Sequence, residues 1–434
     1  MALLKNSKIA IINGQIFNDN FKNGAILIKD KKIKKVVEGE LLKSKIKDYK
    51  IIDADGGYVS YGFFDPHVHF RCPGYEYKED WNTGTKAAIK GGYTFVADMP
   101  NNSPSATDVD TLIYKNNLAK NTKIHYGFYL GLTDNNVSKI MSIYKKLKSL
   151  KVPVLGIKVF LGSSTGDLLI TDDNSISQSL DSSLLNLFHC EDQLTLNRYK
   201  NIRYKSVADH NKIRPPEAEV SGIKRIVKSA KKIKKRAKLY ICHVSSKDEI
   251  IAIEKYRNEG FNIIAEVTPH HLFFNLQDIK KLNIFKVNPP IRDINDVNYI
   301  RKKFNSDFFQ IIGTDHAPHL KKEKDSKNPP SGFPGLESSF YALYNLFERN
   351  IISLEKIFEL LTSGYKIFNI KNRGNLKKGN YADVTIIKKE KNVFKAKNTF
   401  TKADFSPFDD LESSCKIHTV IIDGKIILEN GEFK

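Results

Sequence analysis

Two histidines one residue apart, His67 and His69, stand in the segment FDPHVHFR. They belong to an apolar run, 58–70, that reads as a strand, and in a strand residues two apart point to the same face. Two neutral imidazoles converging on one point bind a divalent metal well, so the pair reads as half of a metal site; the competing reading is a pair of core histidines satisfied by hydrogen bonds. Lys158 is the only charge in VPVLGIKVFLGSSTG, and an ammonium inside a buried strand costs several kcal/mol unless it is neutralised or paired. A neutral amine there could react with CO2 to give a carbamate, whose two oxygens could bridge two cations; the bland alternative is a lysine that points outward and snorkels. GTDHAPH offers Asp315 both as a metal ligand and as a proton carrier, against the common roles of helix cap or Asx turn. His316 and His319 lie in the same motif, and spacing alone does not choose the working histidine between them.

These residues need a frame that brings them together. Apolar strand-like runs at 58–70, 93–99, 124–130, 154–161, 184–190, 239–244, 262–268 and 309–314 alternate with helical patterns such as 140–150, 223–235, 247–258 and 336–347. Eight strands with helical crossovers predict an α/β chain built on a TIM (β/α)8 barrel, whose active site forms at the C-terminal strand ends. His67 and His69 end the first strand, Lys158 lies in the fourth, His189 ends the fifth, His243 ends the sixth, and Asp315 follows the eighth. Core histidines would have no reason to choose those ends. Short alternating runs up to Ala54, and a hairpin pattern with Asp423-Gly424 near the other end, predict β pieces that combine into one small domain. The expected division is 1–56 and 372–434 for that composite β domain and 57–371 for the barrel.

Composition narrows the class. The 434 residues can bury a large core, and no apolar run approaches the roughly 18 residues of a membrane span. The start of the chain reads as a strand rather than a signal peptide, so a cytoplasmic protein is expected. The four cysteines, Cys72, Cys190, Cys242 and Cys415, show no CxxC spacing and read as reduced, small buried residues. The net charge of +21 raises nucleic acid as a partner, but the lysines are spread along the chain without interleaved aromatics, and a small anionic substrate explains any functional share of it.

FDPHVHFRCPG, ADMPNNSP, GIKVFLGSSTG, LFHCEDQ, ICHVSS, VTPHH, VNPPIR, GTDHAPH, SGFPGLES and the terminal GNLKKGNYADVTII together resemble the dihydroorotases of the amidohydrolase superfamily over nearly the whole chain. That resemblance implies two Zn2+ ions bridged by carbamylated Lys158 and a hydroxide, one ion held by His67, His69 and Asp315, the other by His189 and His243. It implies substrate contacts from Arg71, Asn101, Asn288 and His319; one of Ser163, Ser164 or Thr165, just past Lys158, could close over the substrate as a loop contact. The implied reaction is the reversible cyclisation of N-carbamoyl-L-aspartate to L-dihydroorotate in pyrimidine synthesis, with Asp315 shuttling the proton. A homo-oligomer and an aspartate transcarbamoylase are the protein partners the resemblance raises. One departure is Cys72, where an acidic residue often follows the arginine. The rival readings are an allantoinase or hydantoinase, which would share the metal site but leave Arg71 without a carboxylate, and a non-catalytic assembly subunit.

Overall fold

The computed structural model describes residues 7–163, 167–234, 237–279 and 282–434. Its centre is a ring of eight parallel strands, each paired with the next in the chain: Phe63–Val68, Tyr93–Asp98, His125–Gly131, Val154–Phe160, Asn186–His189, Lys238–Ile241, Asn262–Val267 and Ile311–Ile312. The eighth strand is only two residues long, and the seam between it and the first closes through polar groups. Val68 bridges His316, the His69 amide donates to the His316 carbonyl at 2.8 Å, and the Thr314 hydroxyl donates to Asp65 at 2.5 Å. The TIM barrel expected from the strand count is thus present, with its last strand reduced to a clasp beside the motif that carries Asp315.

The strands are buried on both faces, which is why they read as continuous apolar runs. Inside the ring, Tyr129 and Tyr240 are fully buried beside Met99, Leu187 and Ile264, and their hydroxyls find acceptors on Pro66 O (2.8 Å) and Glu266 Oε2 (2.6 Å). Outside, the helices lay one apolar stripe on the strands: Ile140–Ser149 buries Ile140, Ile143 and Leu147, at helical spacing. Helix starts are capped from the sequence, as where Asp80 accepts from the amides of Asn82 and Thr83 ahead of Trp81–Lys90.

A nine-stranded sheet flanks the barrel and joins both ends of the chain. Lys8–Phe17 pairs antiparallel with Phe21–Lys29 and parallel with Tyr58–Tyr61, which in turn pairs antiparallel with Val384–Lys388. The run 58–70 is therefore two strands and not the single strand expected. It divides at Gly62, where a Cβ would stand 2.1 Å from Thr94 Oγ1, so only glycine lets the chain pass from the flanking sheet into the barrel. Among the described residues no helix is long and apolar enough to cross a membrane.

Candidate metal centre

The strand ends enclose a cavity of about 300 Å³ lined by His67, His69, Lys158, His189, His243 and Asp315, with Arg71, Asn101, Asn288 and Ser163 around them. On one side the Nε2 atoms of His67 and His69 lie 3.4 and 3.1 Å from Asp315 Oδ1, three groups spaced to hold one cation. Each ring is aimed by a bond on its other nitrogen: His67 Nδ1 is 2.8 Å from Glu266 Oε1, and His69 Nδ1 is 2.8 Å from Asn101 Oδ1. This is how ligating imidazoles are usually fixed. On the other side His189 Nδ1 and His243 Nε2 lie 3.0 Å apart. His189 is turned that way by Glu191, 2.8 Å from its Nε2, and Arg214 grips Glu191 through two contacts at 2.8 and 2.7 Å. The His67 and His243 rings, 5.3 Å apart, join the two halves.

Lys158 stands between them, fully buried. Its Nζ is 3.1 Å from Cys242 Sγ and 5.0 Å from the centre of the Phe160 ring, and among the described residues no carboxylate pairs with it. Cys242 is the free, buried cysteine expected, and its sulfur faces Lys158. A buried ammonium without an anion is costly, and so is the buried His243 Nδ1 that lacks any hydrogen-bond partner. Nitrogens converging on one another, a carboxylate among them and an unpaired lysine are a donor set that two divalent cations and a carbamate would satisfy.

The electrostatics of three of the four rings agree with that fit. Burial, against the pull of Asp315, lowers the pKa of His69 to about 4, and burial also pushes His189 and His243 down, which keeps these three rings in the neutral, ligating form. Burial works against charge on His67 too, but Glu266, helped by Asp315, raises its pKa to about 10. Burial would raise Asp315, yet His67 and His69 hold it below the usual carboxylate range. Backbone strain gathers here as well. Arg71, His243 and Asp315 all have left-handed φ, at +59°, +39° and +48°, a conformation non-glycine residues hold only when the surroundings impose it.

Of the expected substrate contacts, Arg71, Asn101 and Asn288 line the same cavity, while His319 stands behind Arg71, outside the lining. Asn101 turns its oxygen to His69, and Asn288 turns its oxygen to His210 Nε2 (2.8 Å) and the Ser331 hydroxyl (2.9 Å). Both asparagines thus keep an amide nitrogen, a donor, as the group left for a ligand. Arg71 bonds Pro318 O at 3.1 Å and lies 3.0 Å from His319 Nε2. His316 is not a cavity residue. Its Nδ1 accepts from the Gly335 amide at 3.1 Å, and its Nε2 sits 3.3 Å from Glu79 behind the wall. Ser163 lines the cavity with its amide bound to Gln193 at 2.7 Å, while Ser164 and Thr165 lie outside the described residues.

Glu266 and Glu191 were missed by the sequence reading. Glu266 is the only charge in its strand, the same signal that marks Lys158, and it is a hub: it accepts from His67 Nδ1, from the His243 amide (2.9 Å) and from the Tyr240 hydroxyl. Gly313 makes room for it, since a Cβ there would lie 2.8 Å from Glu266 Oε2. Glu266→Gln keeps the shape but removes the charge that orients His67, and is expected to weaken metal binding by about tenfold to a hundredfold in a chelator-competition titration. A separate His–Asp–Asp group, His125 with Asp383 and Asp423, lies away from the cavity, and the Arg373 guanidinium already pairs with both carboxylates.

The sequence pattern of the Amidohydrolase family matches residues 58–262 and 290–427. This chain belongs to that family. Relatives named dihydroorotase share its full length: the protein of Methanosphaera stadtmanae is 34% identical over 99% of this chain and 97% of its own, and that of Pyrococcus abyssi is 32% identical over 98% and 96%. The dihydroorotase resemblance read from the motifs is thereby met, and the chain is an amidohydrolase acting on cyclic amide C–N bonds. Among solved structures, an L-hydantoinase (dihydropyrimidinase) from Arthrobacter aurescens superposes with a TM-score of 0.90 at 22% identity, covering 99% of this chain and 97% of that one. A dihydropyrimidinase from Brevibacillus agri superposes at 0.87 with 23% identity, covering 98% and 96%. At that identity the amidohydrolase shares their fold, and its choice of ring must be argued from its own side chains.

Proposed function

We propose that this amidohydrolase is a dihydroorotase, interconverting N-carbamoyl-L-aspartate and L-dihydroorotate in pyrimidine synthesis, with two Zn2+ ions at His67, His69, Asp315, His189 and His243 and a carbamylated Lys158 between them. The observation that carries the substrate choice is Arg71. The residue is 4% exposed, borders the cavity and has no carboxylate paired to it among the described residues. Burying an unpaired cation there is reasonable only if the ligand brings the anion. Dihydroorotate carries a ring carboxylate, and a plain hydantoin carries none.

When bound, the ions supply polarisation of the ring amide carbonyl and activation of the attacking water. The chain supplies the rest. Arg71, with His319 beside it, holds the carboxylate; the amide nitrogens of Asn101 and Asn288 donate to the ring oxygens and fix its face. Asp315, kept ionised by His67 and His69, takes the proton of the attacking water and delivers it to the ring nitrogen as the C–N bond breaks. Cyclisation runs the same proton path backwards. On this reading the enzyme works in the cytoplasm, with reduced thiols and a small anion as its ligand; assembly as a homo-oligomer or with an aspartate transcarbamoylase belongs to the same proposal.

Arg71→Ala is the test of the substrate. It is expected to raise the KM for dihydroorotate about tenfold to a hundredfold, the worth of a lost charged hydrogen-bond pair. An unchanged KM would remove the argument for a carboxylate substrate.

A further inference from the structure

Lys78 lies outside the residues the family resemblance implied, in the loop after the first barrel strand, with its side chain 13% exposed. Its Nζ is 3.0 Å from His319 Nδ1 and 3.0 Å from Glu323 Oε1, and Glu323 is itself held by the Leu320 amide at 2.9 Å. An ammonium has donors only, so the Nδ1 it faces must accept. The His319 proton then sits on Nε2. That nitrogen lies 3.1 Å from Ser331 O and 3.0 Å from Arg71 Nη2. The Nε2–H is thus taken up by Ser331 O and stands beside the guanidinium donor, so a carboxylate that reaches Arg71 meets a second donor, which it would share with Ser331 O. Burial together with Arg71 and Lys78 lowers the His319 pKa, in keeping with a neutral ring.

We propose that Lys78 is a positioning residue that fixes His319 as an Nε2–H donor, so that His319 and Arg71 together grip the substrate carboxylate. The inference rests on the carboxylate-substrate reading above. Glu323 and Lys78 also tie the loop after the eighth strand to the loop after the first, so the donor pair is set only when both loops are in place.

The test uses the zinc-loaded full chain and the variants Lys78→Met and Lys78→Arg, with thermal melting to confirm folding. Kinetics with dihydroorotate are read beside calorimetric binding of orotate, which carries the carboxylate and is not hydrolysed, and of uracil, which lacks it. Lys78→Met is expected to raise both KM and the orotate Kd about tenfold to a hundredfold while kcat stays within about threefold. Lys78→Arg, which keeps a donor at Nδ1, is expected to stay within about fivefold of the parent, and uracil binding is expected to be the same in all three. An unchanged orotate Kd in Lys78→Met, equal losses in the Met and Arg variants, or a fall in kcat at constant KM would each overturn the proposal. A parent enzyme that binds orotate no better than uracil would instead overturn the carboxylate-substrate reading itself, whatever Lys78 does.

Discussion

Lys158→Met is expected to lower kcat/KM for dihydroorotate by at least about a thousandfold and to leave the purified protein short of zinc, because on the proposed reading the variant loses the side chain whose carbamate would serve both ions. Methionine fills nearly the same volume, so the loss is not one of packing. The same substitution has an opposite effect on the metal-free protein. The parent then buries a lysine nitrogen whose neighbours are a thiol and an aromatic ring, and replacing it by an apolar chain removes a polar group that is costly to bury without a strong partner. Metal-free Lys158→Met is therefore expected to melt above the metal-free parent. A variant that keeps its zinc and its activity, or that melts lower when stripped, would mean that Lys158 is a structural residue.

Asp315→Asn is expected to reduce kcat by about a hundredfold to ten-thousandfold, the usual range for a positioned proton carrier, and to weaken the metal held with His67 and His69. The carboxylate also bears on stability. Its folded pKa lies below the ordinary value, so it adds stability that is complete above the unfolded carboxylate range and is lost as pH falls through that range toward the folded value. Stripped of metal, the parent should lose more stability than Asp315→Asn on acidification, measured as melting temperature against pH. Equal losses in the two proteins would show that the aspartate gains nothing from its two histidines.

The centre could be read from the sequence because each expected ligand is a polar residue in or just past an apolar strand, where burial forces a reason for its presence. Lys158, His189 and His243 announce themselves that way. Glu266 carries the same signal as Lys158, a lone charge within its strand, but only the neighbouring Gly313 and His67 show what it serves. Glu191 and Lys78 were invisible for another reason: both act through a histidine ring nitrogen, and no spacing rule records which nitrogen a ring presents. The fold was legible from the alternation of strands and helices, whereas the break at Gly62 was not, since one apolar run continues across it and only Thr94, a neighbour in space, requires the glycine. His316 and His319 differ by three residues in sequence and could be separated only once the wall of the cavity was in place.

The most direct test of the account is loss of L-dihydroorotate absorbance with purified, zinc-supplied protein, run beside hydantoin and allantoin and repeated with a chelator. The expected result is turnover of dihydroorotate alone, abolished by the chelator and restored by zinc. Turnover of the uncharged rings at comparable rates, or dihydroorotate turnover that survives complete removal of metal, would contradict it.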